Sequence, residues 1–151
     1  MIMDLLTNKM FLCAGGGWFV AQLTKIIIDL IRGELSLDRL TGAGGMPSSH
    51  SATVTGLVIG SLYLYGTSGY EFIISLFLAI IVIYDAGGVR LETQREAQVL
   101  NRINAQLIKE GKEPILEKPL REKMGHTIPQ ILVGMSIGVV VSLIVCFALP
   151  F

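Results

Sequence analysis

Apolar residues gather into four blocks, at approximately residues 10–31, 51–67, 71–90 and 128–149. Each is at or near the length of about 20 helical residues that a hydrocarbon core requires. Between the second and third blocks stand only Gly66, Thr67, Ser68 and Gly69, a tight turn that makes those two helices antiparallel. A short polar loop from Gly33 to Pro47 joins the first two blocks, and a longer polar stretch separates the last two. The first part of that stretch, Glu92 to Glu110, repeats Ala, Leu, Ile and Val at helical spacing. Val99, Ile103 and Leu107 fall on one face with charges elsewhere, which predicts a helix lying on the membrane or across the mouth of the bundle. Gly111 ends it, and Pro114 and Pro119 hold the following residues irregular. The pattern predicts an all-α integral membrane bundle of about four transmembrane helices plus one interfacial amphipathic helix, in one domain spanning residues 1–151.

Composition agrees with that reading. The chain is 52% hydrophobic and only 16% charged, with a mean hydropathy of +0.64. Its net charge is zero, so nothing in the bulk charge argues for nucleic acid. Cys13 and Cys146 both fall inside apolar blocks, where cysteine packs as a small hydrophobe. Lys9 followed by an apolar run imitates a secretory signal, but the run continues to about residue 31 without a small-residue cleavage site, so it reads as a retained helix. Of the twelve Lys and Arg residues, all but Lys9 lie on one side of the four blocks. The positive-inside rule makes that side cytoplasmic, with both termini on the opposite side.

The candidate chemistry collects on the same side. In Gly44-Gly45-Met46-Pro47-Ser48-Ser49-His50-Ser51-Ala52-Thr53 a proline and small polar residues precede an apolar run, a helix-start signal. The free N–H groups and dipole of such a first turn suit a phosphate, and His50 is placed to exchange a proton with it. Lys25 and Arg32, two helical turns apart, share one face of the first helix. Asp85 and Arg90 lie near the end of the third block in Tyr84-Asp85-Ala86-Gly87-Gly88-Val89-Arg90, and Arg121 and His126 precede the fourth. Plainer readings stand beside these. The serines can cap the helix, Lys25 and Arg32 can snorkel to the interface, and His126 can cap the last helix. Asp85 either works as an ionisable group or forms an ion pair with Arg90 or Lys25. Gly134-Met135-Ser136-Ile137-Gly138 reads as close helix packing, as do Ser51, Ala52, Thr55, Gly56 and Gly60. Two histidines without paired cysteines or a zinc-type spacing argue against a metal site.

Lys25-X6-Arg32, Pro47-Ser48-Ser49-His50 and Arg121-X4-His126 together resemble the three signature blocks of the phosphatidic acid phosphatase type 2 superfamily, the group related to vanadium haloperoxidases. Gly-Gly-Met-Pro-Ser-Ser-His-Ser-Ala, Tyr-Asp-Ala-Gly-Gly-Val-Arg and Gly-His-Thr-Ile-Pro-Gln are similar to its small, divergent branch in bacteria and plants, over nearly the whole chain. The resemblance implies His126 as nucleophile, forming a phosphohistidine, and His50 as general acid. It implies Lys25, Arg32, Ser48 and Arg121 as phosphate ligands, the backbone of Ser49 in place of the usual glycine, and no metal or cofactor. The chain departs from the pattern at Gly33, at the four-residue spacing of Arg121 and His126, and at Gln130, where an aspartate normally orients the nucleophile. Asp85 is then the candidate for that carboxylate, and Arg90 the candidate to replace Arg121.

On these grounds the chain is expected to be a metal-independent membrane lipid-phosphate phosphatase in a bacterial plasma membrane, its site on the cytoplasmic face. The expected substrates are phosphatidylglycerophosphate, phosphatidic acid or a polyprenyl phosphate. The alternative is a catalytically inactive relative that binds phospholipid headgroups or assists a partner protein. A third reading is a small transporter or channel component with Lys25, Asp29 and Asp85 as its polar path. A bundle this thin encloses a site more readily as a homodimer.

Overall fold

The computed structural model describes residues 2–33 and 44–149, so the loop expected from Gly33 to Pro47 is described only at its ends, and Arg39 lies outside the described residues. Among the described residues six helices follow one another: α1 (Ile2–Leu6), α2 (Lys9–Ile31), α3 (Ser49–Tyr65), α4 (Tyr70–Gly87), α5 (Val89–Lys109) and α6 (Ile128–Ala148). No strand occurs among the described residues. Local chemistry sets the ends. The Asn8 side chain accepts the Phe11 N–H at 3.0 Å to start α2, and Gly66, at φ +66°, lets the chain leave α3 and re-enter as α4.

Among the described residues three helical runs are long and apolar enough to cross a membrane: α2, the continuous stretch of α4 and α5, and α6. α3 has 17 residues, about 25 Å at the helical rise, and it is the central helix, packed on α2, α4 and α6. The interior is built of small residues. Cys13, Ala21, Ser51, Ala52, Ser61 and Ser142 are all 0% exposed, whereas Phe19, Ile81 and Phe147 stand 60%, 64% and 74% exposed. Small side chains inside and large apolar ones outside is what a bilayer favours, because lipid covers the outer surface and close backbone approach holds the helices together. The approach is close: a Cβ on Gly138 would sit 2.5 Å from the Ala52 carbonyl oxygen and one on Gly17 would sit 2.8 Å from the same atom, while one on Gly56 would collide with the Cys13 carbonyl.

At the end of the bundle away from the histidines, Lys9 donates from Nζ to the Cys146 carbonyl at 3.2 Å and lies 5.2 Å above the Tyr63 ring centroid. Lys9 thus caps the last turn of α6.

α5 is covered by protein on a face other than its apolar one. The face covered by protein is not that of Val99 and Ile103, which remain 53% and 44% exposed, but that of Ala97 and Asn104, at 4% and 9%. Residues 112–127 return along this second face. Asn104 accepts the Leu116 N–H at 3.0 Å and donates to its carbonyl at 3.1 Å. Asn101 does the same for Leu120, at 2.8 and 2.9 Å. Gln94 Oε1 accepts from Met124 and Gly125. Three side-chain amides therefore supply the hydrogen bonds that an irregular segment cannot make for itself.

Candidate active site

Two backbone hydrogen bonds assemble the site. The Ser48 N–H donates to the Gln130 carbonyl at 3.1 Å, joining the start of α3 to the first turn of α6, and the His126 N–H donates to the Ala86 carbonyl at 2.9 Å, pinning that residue to the end of α4. The missing side chain of Gly134 makes room for the Ser48 carbonyl. These ties bring the only two histidines of the chain together, with ring centroids 5.9 Å apart and planes at 71°.

His50 is half-buried. His126 is 1% exposed, and neither of its ring nitrogens has a hydrogen-bond partner among the described residues. Burial, reinforced by the nearby charges of Lys25, His50 and Arg90, pushes the His126 imidazole down to about 4, so its ring is neutral at pH 7. Buried polar groups are nearly always paired, and an orphan carries a penalty of about 1–3 kcal/mol.

Lys25 and Asp29, one turn apart on α2, are 4% and 7% exposed. Lys25 also lines a cavity of about 1000 Å³ together with Arg32, Arg121, Lys123, Gln94 and Gln130. Neither histidine is part of that lining. Arg32 is the exposed C-cap of α2, and Arg121 is exposed on the returning segment. Lys25 is thus shared between the cavity and the charges acting on both rings.

Other candidate residues are occupied differently. Ser48 is the N-cap of α3: its hydroxyl, 0% exposed, accepts from the Ser51 N–H at 3.3 Å and from the Ser51 hydroxyl at 2.9 Å. Ser49, 7% exposed, follows as the first helical residue, where a backbone N–H has no acceptor within its own helix. Asp85 accepts from Arg90 Nε at 2.5 Å, with side chains 38% and 44% exposed. Of the two ion pairs open to Asp85, with Arg90 or with Lys25, the one with Arg90 is present. Gln130 Oε1 accepts the Thr127 N–H at 3.0 Å, the glutamine part of a capping box. The residue standing where an orienting aspartate is expected therefore caps α6 and makes no bond to His126.

Sequence reasoning passed over the Ala86 carbonyl and the amide face of α5. The carbonyl carries no side-chain signal at all. The amides carry one: Gln94, Asn101 and Asn104 recur at spacings of seven and three, on one helical face. Among the described residues no group of three or more His, Cys, Asp or Glu is placed to hold a metal ion.

The sequence profile of the divergent PAP2 family matches residues 6–141 of this chain. The chain belongs to that family. It is also 31% identical, over 96% of its length and 98% of the relative's, to YuiD of Bacillus subtilis (strain 168), described as an uncharacterized membrane protein. No solved structure matches. The apolar helices and the membrane-protein relative make this divergent PAP2 protein an integral membrane protein. The matched region holds both histidines, Lys25, Arg32, Asp85, Arg90 and Arg121.

Proposed function

We propose that this divergent PAP2 protein is a metal-independent phosphatase of membrane lipid phosphates, acting through a phosphohistidine at His126. The observation that carries this reading is the buried, neutral imidazole of His126, both nitrogens of which lack a partner among the described residues, 5.9 Å from a second imidazole. A neutral imidazole is a competent nucleophile. In the proposed sequence a ring nitrogen of His126 attacks phosphorus, and the ester oxygen leaves with a proton from His50. Water then attacks the phosphohistidine, with His50 taking the proton. Charge spreading over the phosphoryl oxygens is stabilised by Lys25, Arg90 and the backbone N–H groups at the start of α3. Arg32 and Arg121 line the adjacent cavity and serve as the outer cations that guide the phosphate toward Lys25. The Ser48 oxygen accepts the bonds of its cap, and its O–H is the donor to a phosphoryl oxygen, while Asp85 acts by holding Arg90.

The eleven cations that remain when Lys9 is set apart from the twelve support a cytoplasmic site by the positive-inside rule. That sidedness favours an intermediate of phospholipid synthesis, phosphatidylglycerophosphate or phosphatidic acid, over a recycled polyprenyl carrier. The capping role of Gln130 supports a second reading. With no carboxylate on His126, the pocket binds phospholipid headgroups without turning them over, alone or in aid of a partner protein.

Phosphate release by the purified protein in detergent separates the two, measured with and without EDTA on phosphatidylglycerophosphate, phosphatidic acid and polyprenyl phosphate. The phosphatase reading expects turnover insensitive to EDTA that falls by at least ~100-fold in both His50→Ala and His126→Ala. Folded protein that binds these lipids and releases no phosphate establishes the second reading instead.

A further inference from the structure

The proposed chemistry leaves unused a pair of thiols at the far end of the bundle. Cys13, one turn into α2, and Cys146, in the last turn of α6, are 0% and 2% exposed, both are free, and their sulfurs lie 3.8 Å apart. That is van der Waals contact, and a disulfide requires the sulfurs to close to about 2.05 Å. Two features hold the helices at this separation. Gly56 of α3 receives the Cys13 carbonyl where a Cβ would collide, and Lys9 donates to the carbonyl of Cys146 itself. The thiols thus face each other across a packed seam in which Val145 is the neighbouring buried residue.

We infer that Cys13 and Cys146 form a dithiol that closes to a disulfide, a covalent staple between α2 and α6 at the end of the molecule opposite the histidines. The oxidant is a disulfide of the small aromatic or protein type. The Cys146 sulfur, two residues before the end of α6, attacks it as the thiolate, forming a mixed disulfide and releasing one thiol. The Cys13 thiolate then attacks the Cys146 sulfur and releases the second thiol. Two protons leave the protein, its two sulfurs are oxidised, and the oxidant is reduced to two thiols. Burial keeps the reaction slow, since access follows the fraying of the last turn of α6. In the orientation proposed above this end faces away from the cytoplasm, where disulfides persist. The pairing itself does not depend on that orientation.

The test uses the full chain in detergent, reduced, freed of reductant and exposed to 4,4′-dithiodipyridine, then denatured and alkylated. The expected product is a monomer that has lost two hydrogens, takes up no alkyl group, yields a peptide linking Cys13 to Cys146, and unfolds at a higher temperature than the reduced form. In Cys13→Ser the oxidant is expected to remain attached to Cys146 as a stable pyridyl mixed disulfide, because the resolving thiol is gone. Oxidised wild-type protein in which both thiols still alkylate, or carry one pyridyl group each, overturns the inference, as does a disulfide found only between chains.

Discussion

The residue that organises the site is His126, and the same burial that makes it neutral makes it sensitive to acid. Its pKa falls from 6.5 to about 4 on folding, so below pH 6.5 the unfolded chain takes up a proton that the folded one refuses. The stability this group contributes is therefore complete above about pH 6.5 and is lost as pH falls toward 4, a change of at most ~3 kcal/mol. Thermal unfolding in detergent should show the melting temperature dropping through that window, and the drop should be smaller in His126→Asn. A wild-type curve flat from pH 7 to pH 4.5 contradicts the neutral assignment. Asp85 is expected to act through Arg90 alone. Its substitution by Asn should slow turnover only several-fold, since a pair this exposed is worth at most about 1 kcal/mol. The double variant with Arg90→Ala should be no slower than Arg90→Ala by itself. A further loss in the double variant would show that Asp85 has a separate task.

At the scale of elements, the start of α6 and the return along α5 are held by side-chain amides. Gln130→Ala removes the oxygen that accepts the Thr127 N–H, and the expected cost is ~1 kcal/mol of stability. An unchanged melting temperature would leave Gln130 free to serve His126 instead. Asn101→Leu leaves both the N–H and the carbonyl of Leu120 without their partner, so residues 112–125 should become several-fold more susceptible to limited proteolysis while the spanning helices stay intact. The four apolar blocks, the Gly66–Gly69 turn and the small residues of α3 were legible in the sequence because bilayer thickness and backbone approach both impose simple patterns. The covered face of α5 was not. Its apolar stripe follows a helical period, but the neighbour that decides which face is covered is an extended segment whose hydrogen bonds leave no periodic trace.

On the whole-molecule scale, the placement of charge predicts orientation. A cysteine placed at Ser68 of a protein lacking its native cysteines should be labelled by an impermeant maleimide on intact cells. One placed at Lys112 should be labelled only after permeabilisation, and the reverse pattern would place the histidines outside. The candidate site was legible in part. Both histidines, Lys25, Arg32, Arg90 and Arg121 stood out as charged or titratable groups on one side of the apolar blocks. Their grouping did not, because it depends on loops, helix caps and two backbone hydrogen bonds.

Composition and periodicity alone determined that this chain is a helical membrane bundle, and they predict that its cations and its chemistry-bearing residues share one side. These are one-dimensional properties, set by what each segment exchanges with lipid or water. The tertiary structure decided which groups are engaged and which remain available. Ser48 and Gln130 have polar atoms that a helix terminus needed, and Asp85 has a neighbouring guanidinium. His126 is buried beside His50, and neither of its ring nitrogens has a partner among the described residues. Competition for hydrogen-bond partners is settled in three dimensions, by which termini abut.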